Sequence, residues 1–402
     1  MTDSTRETDE LQLPSGFQFS GIHCGLKESA NDLSVILCDA PSTAAGVYTQ
    51  NLVRAASIDW NRNITPTPSI RAVVINSGNA NACTGDQGER DNAAMAAAVA
   101  KTIGCEPEQI ATLSTGIIGH PLPMDRITSG IQMALAEAGS EQQHFLNAVD
   151  GIMTTDRFRK THSESLTMDG SRGVIAGMAK GAGMIGPNMA TMLAVVMTDW
   201  YLPPQIADQA LKKAVDASFN CISVEGHTST NDAVLLLSSS VGRPIHQTEQ
   251  IQAFEAALTD SCIALARQIP SDGEGASHLI EIRVRGTQEN READRIARTV
   301  ANSALVKTAI TGADPNWGRI VSAAGYAGVD FNIETTSLQL NGHSLFEAGQ
   351  PIPFDAAVVS DALSSSFTSL IELRLGSGPG QATHWTSDLT VDYVRLNSEY
   401  TT

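Results

Sequence analysis

An α/β protein is predicted, with mixed sheets stacked in layers and flanked by helices. Three observations predict it. Short apolar runs of strand character alternate with helical periods, but without the strict strand–helix–strand beat of a parallel Rossmann sheet. Hydrophobic residues make up 42% of the 402 positions, enough to bury a sizeable core. Aromatics supply only 5% and glycine fills 33 positions, so layers can approach closely on small side chains.

Residues 71–75 (Arg-Ala-Val-Val-Ile) read as a buried strand, and 76–85 as the loop after it. Residues 89–103, mostly alanine on the inner positions, form a helix that Gly104 ends. Ile127, Ile131 and Leu135 recur at helical spacing over 127–138. Strands follow at 173–178 and 192–198. Pro203-Pro204 opens a helix with Ile206, Ala210, Leu211, Ala214 and Val215 on one face. Residues 233–237 are a buried strand, and Ile251, Phe254, Leu258, Cys262, Leu265 and Ile269 stripe a long helix. Residues 280–285 alternate as a half-buried strand. A helix over 290–307 carries Ala293, Ile296, Ala297, Val300 and Ala301, and 371–375 and 389–395 read as late strands. Repeats, low-complexity segments and a Pro/Ser-rich linker are all missing from the sequence.

The net charge of −18 repels phosphate backbones, and no basic stripe interrupts it, so a nucleic-acid partner is not expected. An anionic substrate must instead be met by a few placed cations. No apolar run is long enough to span a membrane. Residues 1–10, polar and acidic, are unlike a secretory signal or transit peptide and read as a frayed tail. Cys24, Cys38, Cys83, Cys105, Cys221 and Cys262 are scattered without a CxxC pair. Reduced thiols in a cytoplasmic protein, and no metal site, are the expectation.

Residues 180–191 read Lys-Gly-Ala-Gly-Met-Ile-Gly-Pro-Asn-Met-Ala-Thr and lead into the apolar run 192–198. A threonine hydroxyl is a weak nucleophile unless a base stands beside it, and its own α-amine is one such base. That amine exists only if the Ala190–Thr191 bond is broken. Gly181, Gly183 and Gly186 permit the φ > 0 conformations needed to fold the loop back. Small Ala190 leaves room for Thr191 Oγ to reach the Ala190 carbonyl and shift the acyl group from nitrogen to oxygen. A free α-amine titrates near ~7.7–8.0, which suits general-base work. The same pattern also fits a glycine-rich loop that simply enters a core strand.

Seven stretches decide between these readings: Asn76-Ser-Gly-Asn-Ala-Asn-Ala-Cys-Thr-Gly85, Ser114-Thr-Gly-Ile-Ile-Gly119, Met153-Thr-Thr-Asp156, Ser223-Val-Glu-Gly-His-Thr-Ser-Thr-Asn-Asp232, Asp272-Gly-Glu-Gly275, Thr308-Ala-Ile-Thr-Gly-Ala-Asp-Pro-Asn-Trp-Gly-Arg319 and Asp392-Tyr-Val-Arg-Leu-Asn397. With the loop above, they resemble, in order, the signatures of the glutamate N-acetyltransferase/ornithine acetyltransferase family of arginine biosynthesis. The resemblance covers residues 16–402. It implies an aminopeptidase/ornithine-acetyltransferase-like fold, cleaved into interwoven chains 1–190 and 191–402 that assemble as α2β2. It also implies ping-pong transfer of an acetyl group from N2-acetyl-L-ornithine, with acetyl-CoA as a further donor, to L-glutamate through acetyl-Thr191. No bound cofactor is implied.

Roles follow by resemblance. Thr115 and Gly116 form the oxyanion hole. Lys180, Glu274, Asn397 and the terminal Thr402 contact substrate, as does Thr154, with Thr155 the adjacent register. Without the resemblance, Lys180 reads as a solvated charge and Glu274 as a turn acid facing water. The 76–85 and 316–319 stretches read as scaffolding near the active centre, since GNANACTG lacks the phosphate-loop pattern. Two departures stand out: His227 replaces an acid common in the family, and His278 replaces a common lysine. Two other functions stay open: a self-cleaving N-terminal-nucleophile amidohydrolase or aminopeptidase, and an uncleaved amino-acid-binding protein.

Overall fold

A computed structural model describes residues 11–186 and 192–399. Among these, one mixed sheet of eight strands runs in the order Ile110–Ile117, Thr67–Asn79, Leu33–Tyr48, Ala233–Ser238, Leu193–Thr198, Ser171–Lys180 and Lys160–Met168, with Phe17–Ile22 paired to Leu33–Tyr48. Two pairings are parallel, Thr67–Asn79 with Ile110–Ile117 and Leu193–Thr198 with Ala233–Ser238; the others are antiparallel.

The central strands lack a polar alternation because both faces are covered. Ala194, Val196, Val234 and Leu236 point into a core under the helices Pro204–Asp216 and Thr248–Ser271. Their neighbours Leu193, Val195, Leu235 and Leu237 point the other way, onto the helices Ala56–Ile64 and Gln142–Ile152. Helices Gly85–Ile103 and Met124–Ala136 close the Thr67–Asn79 end. A second mixed sheet contains Gln350–Pro351, His343–Glu347, Ser337–Leu340, Thr368–Arg374, Leu279–Thr287, Gly380–Ser387 and Ile222–Ser223, in that order. Its own core lies under Asn290–Ala301, Trp317–Gly325 and Ala356–Ser364. Trp385 and Leu279 of this sheet also enter the core beneath Thr248–Ser271, so that helix layer joins the two sheets. The layered α/β expectation holds.

Two elements differ from expectation. Residues 389–395 are not a strand: Val391–Glu399 is a helix. Thr390 Oγ1 accepts the Tyr393 N–H at 3.2 Å and donates to the Gly275 carbonyl at 2.7 Å, which starts a helical turn. Val391 and Val394 are exposed, so this stretch has no buried strand face. The helix expected over 290–307 breaks into Asn290–Ala301 and Ala304–Thr311, because Ser303 caps the second piece by accepting the Val306 N–H.

Strands Ser171–Lys180 and Leu193–Thr198 pair antiparallel, with Lys180 opposite Leu193. The intervening connection, which carries the proposed cut, therefore starts and ends at one place on the sheet. Each strand also has a further partner, Lys160–Met168 or Ala233–Ser238. Breaking a bond in the connection leaves both ends clamped. No helix among the described residues is long and apolar enough to cross a membrane.

Leu236, fully buried on Ala233–Ser238, reports on this shared core. Leu236→Ala should lower unfolding stability by about 2–5 kcal/mol, seen as a lower midpoint in urea, whereas Leu52→Ala, at a side chain 90% exposed, should change it little.

Candidate active site

A cavity of about 290 Å³ is lined from the C-terminal ends of the strands Ile110–Ile117 and Ser171–Lys180. Thr115, Gly116, Thr154, Thr155, Lys180, Glu274 and Asn397 all line it. Residues scattered from 115 to 397 in sequence are thus gathered in one place. Ala190, Thr191 and Thr402 lie outside the described residues. Met192, bonded to Thr191, donates its backbone N–H to Asp232 Oδ1 at 3.0 Å.

The Thr115–Gly116 corner is built by backbone crowding. Gly116 has φ +133°, and a Cβ there would fall 2.3 Å from the Gly78 carbonyl carbon. Asn231 Nδ2 donates to the carbonyls of Ala80 (2.6 Å) and Ser114 (2.8 Å), and Ser114 Oγ donates to Asn76 Oδ1 at 2.7 Å. The 76–85 stretch is accordingly scaffolding beside the site. The 316–319 stretch is scaffolding elsewhere: Trp317 stacks on Phe346 at 5.4 Å in the second sheet's layer.

Lys180 is not a surface charge. It is 2% exposed, and its Nζ donates to Thr115 Oγ1 at 3.3 Å. Burial pushes the ammonium below its ordinary pKa; Asp156 is the strongest opposing influence. A buried charge network fixes the surroundings. Lys160 Nζ, fully buried, bridges Asp156 Oδ1 (2.7 Å) and Asp272 Oδ2 (2.6 Å). Asp156 also accepts the N–H groups of Thr154 (2.9 Å) and Gly181 (2.7 Å), and Asp272 accepts Arg157 Nε at 2.9 Å. Burial by itself would raise the Asp156 carboxyl, but Lys180, Lys160 and the Gly181 N–H hold it down to about 2.

Glu274 faces the cavity, accepting from Asn397 Nδ2 at 3.1 Å. Its backbone N–H donates to the Ala182 carbonyl at 2.8 Å. The glycines of the cutting loop serve partly for a different reason than expected. Only Gly181 takes a positive φ, +147°. Gly183 and Gly186 are needed for space: a Cβ would meet the Glu274 carboxyl carbon at 2.5 Å in one case and the Gly226 carbonyl carbon at 2.5 Å in the other. His227 lines the cavity, while His278 is turned away from it, 3.3 Å from Asp388.

Sequence reasoning left Asp156, Glu225, Asp232 and Tyr393 without roles, although each sits inside a quoted motif. Glu225 and Tyr393 line the cavity. Asp232 is fully buried, and burial pushes its carboxyl well above the usual range. For Asp156 the available signal was an acid beside the assigned Thr154/Thr155 pair; the others carried no signal beyond membership of a motif.

Comparison with known proteins decides the family. The ArgJ family profile matches residues 18–402. The chain belongs to the ArgJ family. A curated ArgJ relative, the arginine biosynthesis bifunctional protein of Rhodopirellula baltica, is 47% identical over 410 residues, covering 100% of both chains. Among solved structures, ArgJ from Bacillus halodurans is 36% identical over 50% of this chain and 96% of that one, with a TM-score of 0.48. The ornithine acetyltransferase of Mycobacterium tuberculosis, solved with ornithine, is 34% identical over 44% and 94%, with a TM-score of 0.39. The family read from the motifs is the one found, and this ArgJ member is an enzyme of arginine biosynthesis.

The Asp156 pKa has a consequence for acid stability. Its folded value is lowered from 3.8 to about 2, so its contribution is complete above the unfolded value and is lost as pH falls through the folded one. Urea unfolding should show a decline on the order of 2 kcal/mol from this group between about pH 5 and 2, and Asp156→Asn should flatten that limb. Lys160→Met, which strands two buried carboxylates, should destabilise by about 3–5 kcal/mol at neutral pH.

Proposed function

We propose that the chain cuts itself at Ala190–Thr191 and then moves an acetyl group from N2-acetyl-L-ornithine, or from acetyl-CoA, to L-glutamate. Thr191 Oγ attacks the acetyl carbonyl while the Thr191 α-amine takes the hydroxyl proton and passes it to the departing ornithine nitrogen. The acetyl group rests as an ester on Thr191. Glutamate's α-amine then attacks the ester, the Thr191 oxygen leaves, and N-acetylglutamate departs. Splitting one difficult transfer into two is what a covalent intermediate provides.

One observation carries this reading: Thr115, Gly116, Thr154, Lys180, Glu274 and Asn397 converge on one cavity beside Met192, the residue bonded to Thr191. Thr115 and Gly116 act as the donors for the tetrahedral oxyanion. Lys180 pairs with the substrate α-carboxylate, since its ammonium lies against Thr115 at the reacting end. Thr154 and Glu274 position the amino acid. Asn397, which lines the cavity, and Thr402 contact the substrate, as the family resemblance implies. The two strands that clamp the connection support the idea that fragments 1–190 and 191–402 stay together after the cut. Assembly as α2β2 in the cytoplasm, without a bound cofactor, completes the proposal.

Intact-mass spectrometry should find two fragments, the second starting at Thr191, with one acetyl group added to it by N-acetylornithine. Thr191→Ala should stay a single inactive chain; cleaved, active Thr191→Ala would defeat the nucleophile assignment. Release of acetate from N-acetylornithine at the same rate with and without glutamate would favour the amidohydrolase instead. Thr115→Val in protein already cleaved should lower kcat by about 10²–10³, with KM much less affected.

A further inference from the structure

The cavity has to hold opposite charges in turn. On the function proposed above, which this inference rests on, one half-reaction places the ornithine side-chain ammonium there. The other places the glutamate side-chain carboxylate in the same space. A fixed charge at that end would favour one substrate and repel the other. Lys180 does not resolve the conflict, because it stands beside Thr115 and meets the α-carboxylate that both substrates carry. Glu274 is already engaged by Asn397.

Glu225 has the properties required. It follows Ile222–Ser223 and lines the cavity. Both of its carboxyl oxygens are buried without a side-chain hydrogen-bond partner among the described residues, and only the backbone N–H groups of Ile185, Glu225 and His227 approach them. The charged and titratable groups around it come from several elements. Lys307 on Ala304–Thr311 is anchored behind it, donating to the carbonyl of Val224. Tyr393 on Val391–Glu399 feels both Glu225 and Glu274. His227 lies on its own loop, and Lys180 and Glu274 face the same cavity.

Geometry puts the two groups on different walls of the cavity. Lys180 Nζ lies 3.3 Å from Thr115 Oγ1, whereas Glu225 sits on the loop tied to Ile185, whose carbonyl accepts the N–H groups of Val224 (2.8 Å) and Gly226 (2.9 Å). Glu225 is thus the buried carboxyl on a wall other than the Thr115 corner, open to an amino-acid side chain once its α-nitrogen is at the reacting centre. Burial pushes the carboxyl up to about 7; nearby backbone N–H groups and Lys307 only partly offset this. The loop is held in place by the close approach of Gly186 to Gly226, where no side chain fits.

We infer that Glu225 receives the side-chain end of both substrates, ionised to accept the ornithine ammonium and protonated to donate a hydrogen bond to the glutamate carboxylate. The proton comes from solvent and returns to it between half-reactions. No bond is made or broken at Glu225.

The test is a competition. Acetyl-enzyme, prepared with N-acetylornithine and freed of product, is offered ornithine and glutamate together across pH 6–8. The product ratio gives the ratio of the two kcat/KM values. Both acceptors attack through an α-amine and use the same enzyme base, so those protonations largely cancel. The ornithine-to-glutamate preference should rise with pH by more than tenfold, approaching about a hundredfold as the ionised-to-protonated ratio of one carboxyl changes over two pH units. Glu225→Gln, similar in shape but unable to ionise, should hold the preference within about twofold across the range and select against ornithine. A preference in the wild type that does not move with pH overturns the inference, as does a Gln variant that keeps the slope. Should the Gln variant fail to fold, the wild-type profile decides. Failure of the wild type to form any acetyl-enzyme is a different result: it overturns the proposed function, and this inference with it.

Discussion

The ammonium of Lys160, buried between Asp156 and Asp272, is the interaction on which the site depends. Taking three charges out of water is costly, and their attraction repays it only with close geometry and further hydrogen bonds. Here those extra bonds go to the backbone of the site. Asp156 holds the N–H of Thr154 and of Gly181, the residue after Lys180. Asp272 opens the turn that presents Glu274, and Arg157 closes over it. Cavity-lining segments from distant parts of the chain are thus tied to one buried cation. A site built this way can place one more buried ammonium, Lys180, because Asp156 supplies the opposing charge that burial demands.

The sheet supplies what the charges do not. The proposed cut would break a bond in the connection between two core strands. The connection 181–192 joins neighbouring strands that are each paired on the far side, so the ladder resists separation independently of the connecting peptide. Backbone crowding adds precision. Gly116 against Gly78 and Gly186 against Gly226 are backbone approaches that only glycine permits, and a side chain at Gly183 would displace the Glu274 carboxylate. The high glycine content noted in the sequence is concentrated in function at such points.

Long apolar periods were legible: the strands near 71–75, 192–198, 233–237 and 280–285 and the long helix near 251–269 all occur. The 389–395 stretch misled because a β-prone run makes a strand only where it finds a partner and a buried face, and here a threonine cap and open solvent favour a helix. The helix over 290–307 misled at Ser303, whose hydroxyl offers the backbone an end that apolar spacing does not record. In the site, the lining residues could be named from the motifs, but Glu225 and Asp232 could not be given a role. A carboxylate looks alike in sequence whether it meets water or a cavity wall; burial alone moves its proton affinity.

By itself, the sequence determined the family, the α/β layering and the acidic field, and it named residues that line the cavity. These are properties of residue type, order and period, which the unfolded chain already has. Only the tertiary structure decided that Lys180 is buried against Thr115, that Lys160 anchors two acids, and that Glu225 lines the cavity with both carboxyl oxygens buried. Those facts depend on which distant segments exclude water from each other. Desolvation and pairing are set by neighbours in space, and one dimension of sequence does not contain them.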